Sequence, residues 1–127
     1  MRAEPISTLP LENGLTLRLF DLSRPVATDR WYIGVVGEVA VVPSQISMVE
    51  MPEDLLDVVG DQVVFHQKRE RHFIDDKEMT AAKEGMIRSL TETLVPYLSH
   101  PDFPRRLIRK TYLDTLKRYP RQQPRGL

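Results

Sequence analysis

Five leucines alternate with other residues on the two sides of Asn13-Gly14: Leu9 and Leu11 before it, Leu15, Leu17 and Leu19 after it. A period of two is the period of a strand, and Asn-Gly between two such runs is the strongest short-range signal for a hairpin. Loop length decides which face the leucines share. A two-residue loop would oppose Leu11 to Thr16 and Leu9 to Arg18, apolar against polar. A three-residue loop, Glu12-Asn13-Gly14 with Gly14 in the left-handed region, opposes Leu11 to Leu15 and Leu9 to Leu17, and gathers all five leucines on one face. That register is predicted. Pro10 then lies on the outer face of the first strand, which places this strand at a sheet edge, where a missing amide hydrogen is tolerated.

The rest of the chain reads as further strands followed by two helices. Residues 21–30 carry Asp21, Ser23, Pro25 and Asp29, which punctuate rather than propagate a strand. Between Trp31 and Val42 one face shows Trp31, Ile33, Val35, Val39 and Val41. The other shows Tyr32, Val36, Ala40 and Val42 with Glu38. A strand apolar on both sides belongs in the middle of a sheet, and Gly34 and Gly37 within it mark a bulge or a close backbone approach. Ile46 to Met51 is read as a short strand ended by Pro52. A short helix follows, with Pro52 in its first turn, Glu53 and Asp54 at its positive end and Gly60 closing it. Gln62 to Ile74 is a strand with a polar centre, guarded against unwanted pairing by Lys68, Arg69 and Arg71. Phe65 and Phe73 are read as core at its ends.

A long helix is predicted after Ile74. Asp75 caps it, Glu78 completes a capping box, and Ile74 with Met79 forms a hydrophobic staple. Met79, Ala82, Met86, Ile87, Leu90, Leu94 and Tyr97 share one arc, opposite Ala81, Arg88 and Glu92. Lys83 falls inside that arc and extends its charge outward. Pro96 should kink or end the helix. A second helix runs from near Pro104 to about Arg118, with Ile108, Tyr112, Leu116 and Tyr119 as its apolar side, and Pro120 to Leu127 is a frayed tail. These elements describe an α+β fold: an antiparallel sheet of four or five strands, a long helix packed across one face and a second, C-terminal helix, in one domain over residues 1–119.

Composition removes several functions. With no cysteine there are no disulfides, thiol nucleophiles or cysteine-containing zinc sites. The most apolar segment, Trp31 to Val42, carries Glu38, stops at Pro43 and is far shorter than the roughly 20 residues of a bilayer span, so no membrane is expected. No signal peptide is visible in the first twenty residues, and a cytoplasmic location is expected. His66, Glu70 and His72 point to one face of one strand, yet six residues at about 3.3 Å each hold the two histidines about 20 Å apart, too far for one metal ion. Asp75, Asp76 and Glu78 are accounted for by helix capping. There is no Gly-x-Ser-x-Gly elbow, phosphate loop or dinucleotide glycine pattern, hence no catalytic set and no cofactor expected.

Charge placement is the remaining signal. The formal net charge is zero. Residues 1–100 hold ten Lys+Arg and sixteen Asp+Glu, and residues 101–127 hold eight and two, which together make the 18 and 18 of the whole chain. On the last helix Arg106, Lys110 and Lys117 fall within roughly 40° of one another, with Arg118, Arg121 and Arg125 following. Arg69 and Arg71, flanked by Phe65 and Phe73, could extend this surface for RNA by stacking and charge. The leading expectation is a small non-enzymatic interaction module. It would contact a protein partner, or a second copy of itself, through the basic helix or an exposed sheet edge, with Arg69, Arg71, Arg106, Lys110 and Lys117 as binding residues. Nucleic acid on the same surface is the alternative, disfavoured because the chain has no basic excess. A small-ligand or enzymatic cleft between sheet and helices would require convergent polar groups there.

Overall fold

The computed structural model describes residues 4–47 and 49–119. Its strands are β1 (Ser7–Pro10), β2 (Thr16–Asp21), β3 (Arg24–Ala27), β4 (Arg30–Val41) and β5 (Val63–Asp75). Its helices are α1 (Leu55–Val59), α2 (Met79–Leu98) and α3 (Phe103–Arg118), with a 3-10 turn at Pro43–Gln45. The fold is α+β, a five-stranded antiparallel sheet with two long helices. No helix among the described residues is long and apolar enough to cross a membrane. Contacts divide the chain into two compact units. One holds the described residues up to Val39 together with Val64–Pro101, and the other holds Ala40–Val63 and the described residues from Asp102 on.

The hairpin forms in the register that the leucines require. Leu9 faces Leu17, the Leu11 amide donates to the Leu15 carbonyl at 2.8 Å, and Gly14 has φ 88°. Leu11, Leu17 and Leu19 are buried and Leu9 and Leu15 half-buried. Pro10 is exposed on β1, which ends the sheet. The loop also does something the local sequence does not announce. Asn13 Nδ2 donates to the Leu98 carbonyl at 2.6 Å and to the His100 carbonyl at 3.1 Å, so the hairpin tip satisfies the carboxyl end of α2.

The punctuated segment 21–30 contains a strand after all. β2 pairs with β4 from Arg18 opposite Glu38 to Asp21 opposite Val35, and β3 resumes the same register with Arg24 opposite Tyr32 and Pro25 opposite Trp31. β2 and β3 are thus one antiparallel run along one edge of β4, interrupted only at Leu22-Ser23. There the Asp21 carboxylate accepts from the Ser23 amide (2.9 Å), and Ser23 Oγ accepts the Gly34 amide (3.2 Å) that a regular ladder would have paired with backbone. The other edge of β4 carries β5. β4 is covered as its two-sided pattern demands: Ile33, Val35, Val39 and Val41 are fully buried on one face, Tyr32 and Glu38 on the other.

Helix α2 covers the first face. A Cβ on Gly37 would lie 2.6 Å from Leu94 Cδ1 and about as far as ordinary contact from Leu17 and Leu19 (3.5 and 3.6 Å), so the helix rests directly on bare backbone. Leu90, Leu94 and Leu98 are completely buried. Apolar side chains fill this interface around Gly37. Tyr97, expected in the buried stripe, is 56% exposed, and Leu98 takes its place because the buried line follows positions 90, 94 and 98. Pro96 neither ends nor shortens the helix at that point. It lies on the exposed side two residues before the end, where only the last turn has to bear the missing amide hydrogen.

The start of α2 also differs from expectation. Asp75 closes a turn, its carboxylate accepting from the Lys77 amide at 2.9 Å, and the helix begins only at Met79. Asp75 is drawn away from a capping role because its other oxygen binds Arg30 at 3.2 Å. Phe73, expected as core, is 65% exposed at a left-handed φ of 61°.

Lys83 is half-buried and paired. Its ammonium binds the Asp21 carboxylate at 2.9 Å, with only a quarter of either side chain exposed. Burial alone would raise the Asp21 carboxyl, but the hydrogen bonds from Ser23 and Lys83 outweigh it and hold the group below its ordinary value. A lowered carboxyl stabilises the fold above the unfolded value near pH 4, and that contribution disappears as pH falls through the folded value. Lys83→Met should therefore cost about 1 kcal/mol at pH 7. Thermal unfolding from pH 7 to 2 should show the gap to wild type closing below about pH 4; a gap independent of pH would remove the ion pair as its cause.

In the second unit α1 spans Leu55–Val59 and closes at Gly60, whose φ is 81° and whose amide donates to the Leu56 carbonyl at 2.9 Å. α1 packs on α3, and the Tyr112 hydroxyl donates to Asp54 at 2.8 Å. Ile46 to Met51 forms no strand in its described residues. The carbonyls of Ser47 and Val49 are taken instead by the Arg105 guanidinium, each at 2.6 Å. The tail expected at Pro120 to Leu127, with Arg121 and Arg125, lies outside the described residues.

Candidate functional site

Helix α3 brings three of the five sequence-predicted residues together. It begins at Phe103, with Pro104 in its first turn where the missing amide hydrogen costs nothing, and buries Phe103, Pro104 and Ile108. Tyr112 and Leu116 are half-buried, whereas Tyr119, expected on the same side, is 69% exposed just past the last turn. Arg106, Lys110 and Lys117 line one groove of about 580 Å³ together with Arg109, Leu113, Asp114 and Leu116.

The electrostatics of this groove are less one-sided than the sequence tally. Lys110 binds Asp114 at 2.6 Å and Arg106 approaches Asp102 at 3.8 Å, both one turn apart on α3. The hydrogen bond from Lys110 holds the Asp114 carboxyl below its ordinary value. Lys117 and Arg118 stand in the last turn, where positive charge complements the carboxyl end of the helix. The floor of the groove is apolar. Leu113 is 52% exposed there, among four cations.

Arg69 and Arg71 belong to the other compact unit and line a groove of their own, about 510 Å³, between β5 and α2 with Ala81, Gly85 and Ser89. Arg69 is occupied: its guanidinium donates to Ser89 Oγ at 2.7 Å and Thr93 Oγ1 at 3.4 Å. The flanking phenylalanines do not form a stacking platform with it. Phe65 packs against Tyr97 with ring centroids 6.1 Å apart, and Phe73 carries the Arg30 guanidinium 5.4 Å from its centroid.

The opposite face of the sheet holds a polar cluster that the sequence pattern did not reveal. The Tyr32 ring lies flat over Gly34, where a Cβ would fall 2.6 Å from the hydroxyl, and this lets the hydroxyl donate to Glu70 at 2.6 Å. Lys68 reaches the same carboxylate at 3.4 Å, His72 approaches it at 3.9 Å, and Arg24 lies 5.2 Å from the centre of the Tyr32 ring. The hydrogen bond to Glu70 raises the Tyr32 hydroxyl, and the same bond lowers the Glu70 carboxyl. Both groups move away from neutral pH, the opposite of what general acid–base catalysis requires. Nearby, the buried Glu38 carboxylate meets His66 Nε2 at 3.0 Å. Sequence alone could place His66, Glu70 and His72 on one face, but not their partners 28 to 38 residues earlier.

Arg109 and Leu113 were missed on α3. Their signal was present, since they sit three and seven positions after Arg106 on the same helix face. A scan against models of protein families finds no match to this chain, and searches of curated proteins and of solved structures find none either.

Proposed function

We propose that the protein is a small interaction module whose helix α3 receives an acidic, amphipathic segment of a partner protein. The observation that carries this reading is Leu113, half exposed at the centre of an apolar groove ringed by Arg106, Arg109, Lys110 and Lys117. An apolar anchor on the partner would cover Leu113 and Leu116, and flanking carboxylates would replace Asp102 and Asp114 on the cations. Those intrahelical pairs are exposed, so exchanging them costs little. An apolar floor offers nothing to a phosphate backbone, which favours a protein segment over nucleic acid on this surface.

Two variants test the proposal, Leu113→Asp and the double reversal R106E/K110E. Leu113→Asp changes an exposed side chain and should leave stability within about 0.5 kcal/mol, whereas R106E/K110E sets like charges one turn apart and should cost about 1 kcal/mol, leaving the chain folded. Cross-linking and affinity capture from cell extract at physiological salt should yield a partner with wild type that both variants lose. Recovery of the same proteins by all three chains would overturn the reading. Binding of RNA or DNA that falls steeply with salt and ignores Leu113→Asp would replace it with the nucleic-acid alternative.

A further inference from the structure

Strand β5 pairs with β4 along one edge, and no strand among the described residues occupies its other edge. A 13-residue strand with an open row of amides and carbonyls is a template for another strand. Its sequence states which one. Read outward from Arg69, the residues come in mirrored pairs: Lys68 with Glu70, Gln67 with Arg71, His66 with His72, Phe65 with Phe73, Val64 with Ile74. We infer that β5 pairs with β5 of a second copy of this chain, antiparallel, about a two-fold axis at Arg69.

In that register each residue faces its mirror position in the other copy. Lys68 of one chain meets Glu70 of the other, and symmetry makes this pair twice. The left-handed φ of Phe73 ends the regular ladder, so the mirrored pairing runs from residue 66 to residue 72. Neighbouring registers lack this fit. Moving the axis to residue 70 sets Arg69 against Arg71 twice, and moving it to residue 68 sets Phe65 against Arg71. The like charge on the axis itself is already drawn aside, because the Arg69 guanidinium is held on α2 by Ser89 and Thr93. Beside this edge Ala81, Ala82 and Gly85 of α2 line an open groove that leaves room for the neighbouring chain. The cations of β5 that repel an arbitrary strand thus admit one partner in one register. The inference uses no residue of α3, so its test does not depend on the function proposed above.

Sedimentation of the full chain up to about 1 mM should show a monomer–dimer equilibrium. Lys68→Glu and Glu70→Lys should each weaken it at least about tenfold, since each sets like charges opposite one another twice. An equimolar mixture of the two variants should recover the dimer, because every facing pair in the mixed species is again of opposite charge. A wild type that stays monomeric, single reversals without effect, or a mixture no better than its components would overturn the inference. Glu70 also accepts from Tyr32, so a second measurement avoids both charges. The chain has no cysteine; Arg69→Cys should therefore cross-link two copies on mild oxidation, whereas Arg71→Cys, which faces Gln67, should not. Equal cross-linking at both positions would overturn it as well.

Discussion

Leu94→Ala should lower the unfolding free energy by about 3 kcal/mol, and Gly37→Ala by about 1–2 kcal/mol, but the two together should cost clearly less than their sum. Leu94 is fully buried, and its Cδ1 occupies the space that a side chain at position 37 would enter. Truncating Leu94 leaves a cavity over the backbone of β4, walled by Leu17 and Leu19. Adding a methyl at position 37 forces Leu94 off its site while the same two leucines limit where it can go. In the double variant the new methyl enters the new cavity, so a coupling of about 1–2 kcal/mol in favour of the pair is expected. Denaturant unfolding of the four chains measures it. Strict additivity would mean that α2 does not rest on Gly37.

Asn13→Asp should cost about 2–3 kcal/mol, more than Asn13→Ala at about 1–2 kcal/mol, although aspartate is the closer match in shape. The native amide donates to the carbonyls of Leu98 and His100, and its oxygen accepts from the Leu15 amide at 3.2 Å. Alanine leaves two carbonyls at the end of α2 without this donor. Aspartate keeps the acceptor for Leu15 but turns a negative charge toward those carbonyls, at the negative end of the helix. Thermal unfolding at pH 7 should rank Ala above Asp, and the order should narrow below about pH 4 as the new carboxyl takes up a proton. An Asp variant as stable as wild type would show that the hairpin tip does not close the helix.

The candidate surface on α3 was legible in the sequence to the extent that it rests on one helix. A fixed angular step per residue puts Arg106, Lys110 and Lys117 on one side without knowledge of the rest of the chain. The same reasoning could not tell that Arg105, one step away, would turn inward to clamp the Ser47 and Val49 carbonyls, or that Leu113 would remain exposed. Angular position says which side a residue faces. How far the surface packed against that side extends is a property of other segments, and Tyr97 and Tyr119 fall beyond its reach for this reason.

What the sequence by itself determined is what is encoded within about ten residues. The hairpin register follows from leucines at period two and a glycine at the one loop position that requires positive φ, and the central place of β4 follows from apolar residues on both its faces. The limits of α3 follow from Pro104 and the period that succeeds it. Only the tertiary structure decided that β3 exists, since Pro25 and Ala27 are poor strand formers and the segment is held in place by the register of β4. It also assigned Asn13 to the end of α2, Asp21 to Lys83 and Tyr32 to Glu70, pairs 38 to 85 residues apart in sequence. Periodicity is a local property of the backbone, whereas the partner of a polar group depends on which distant segment the folded chain carries past it.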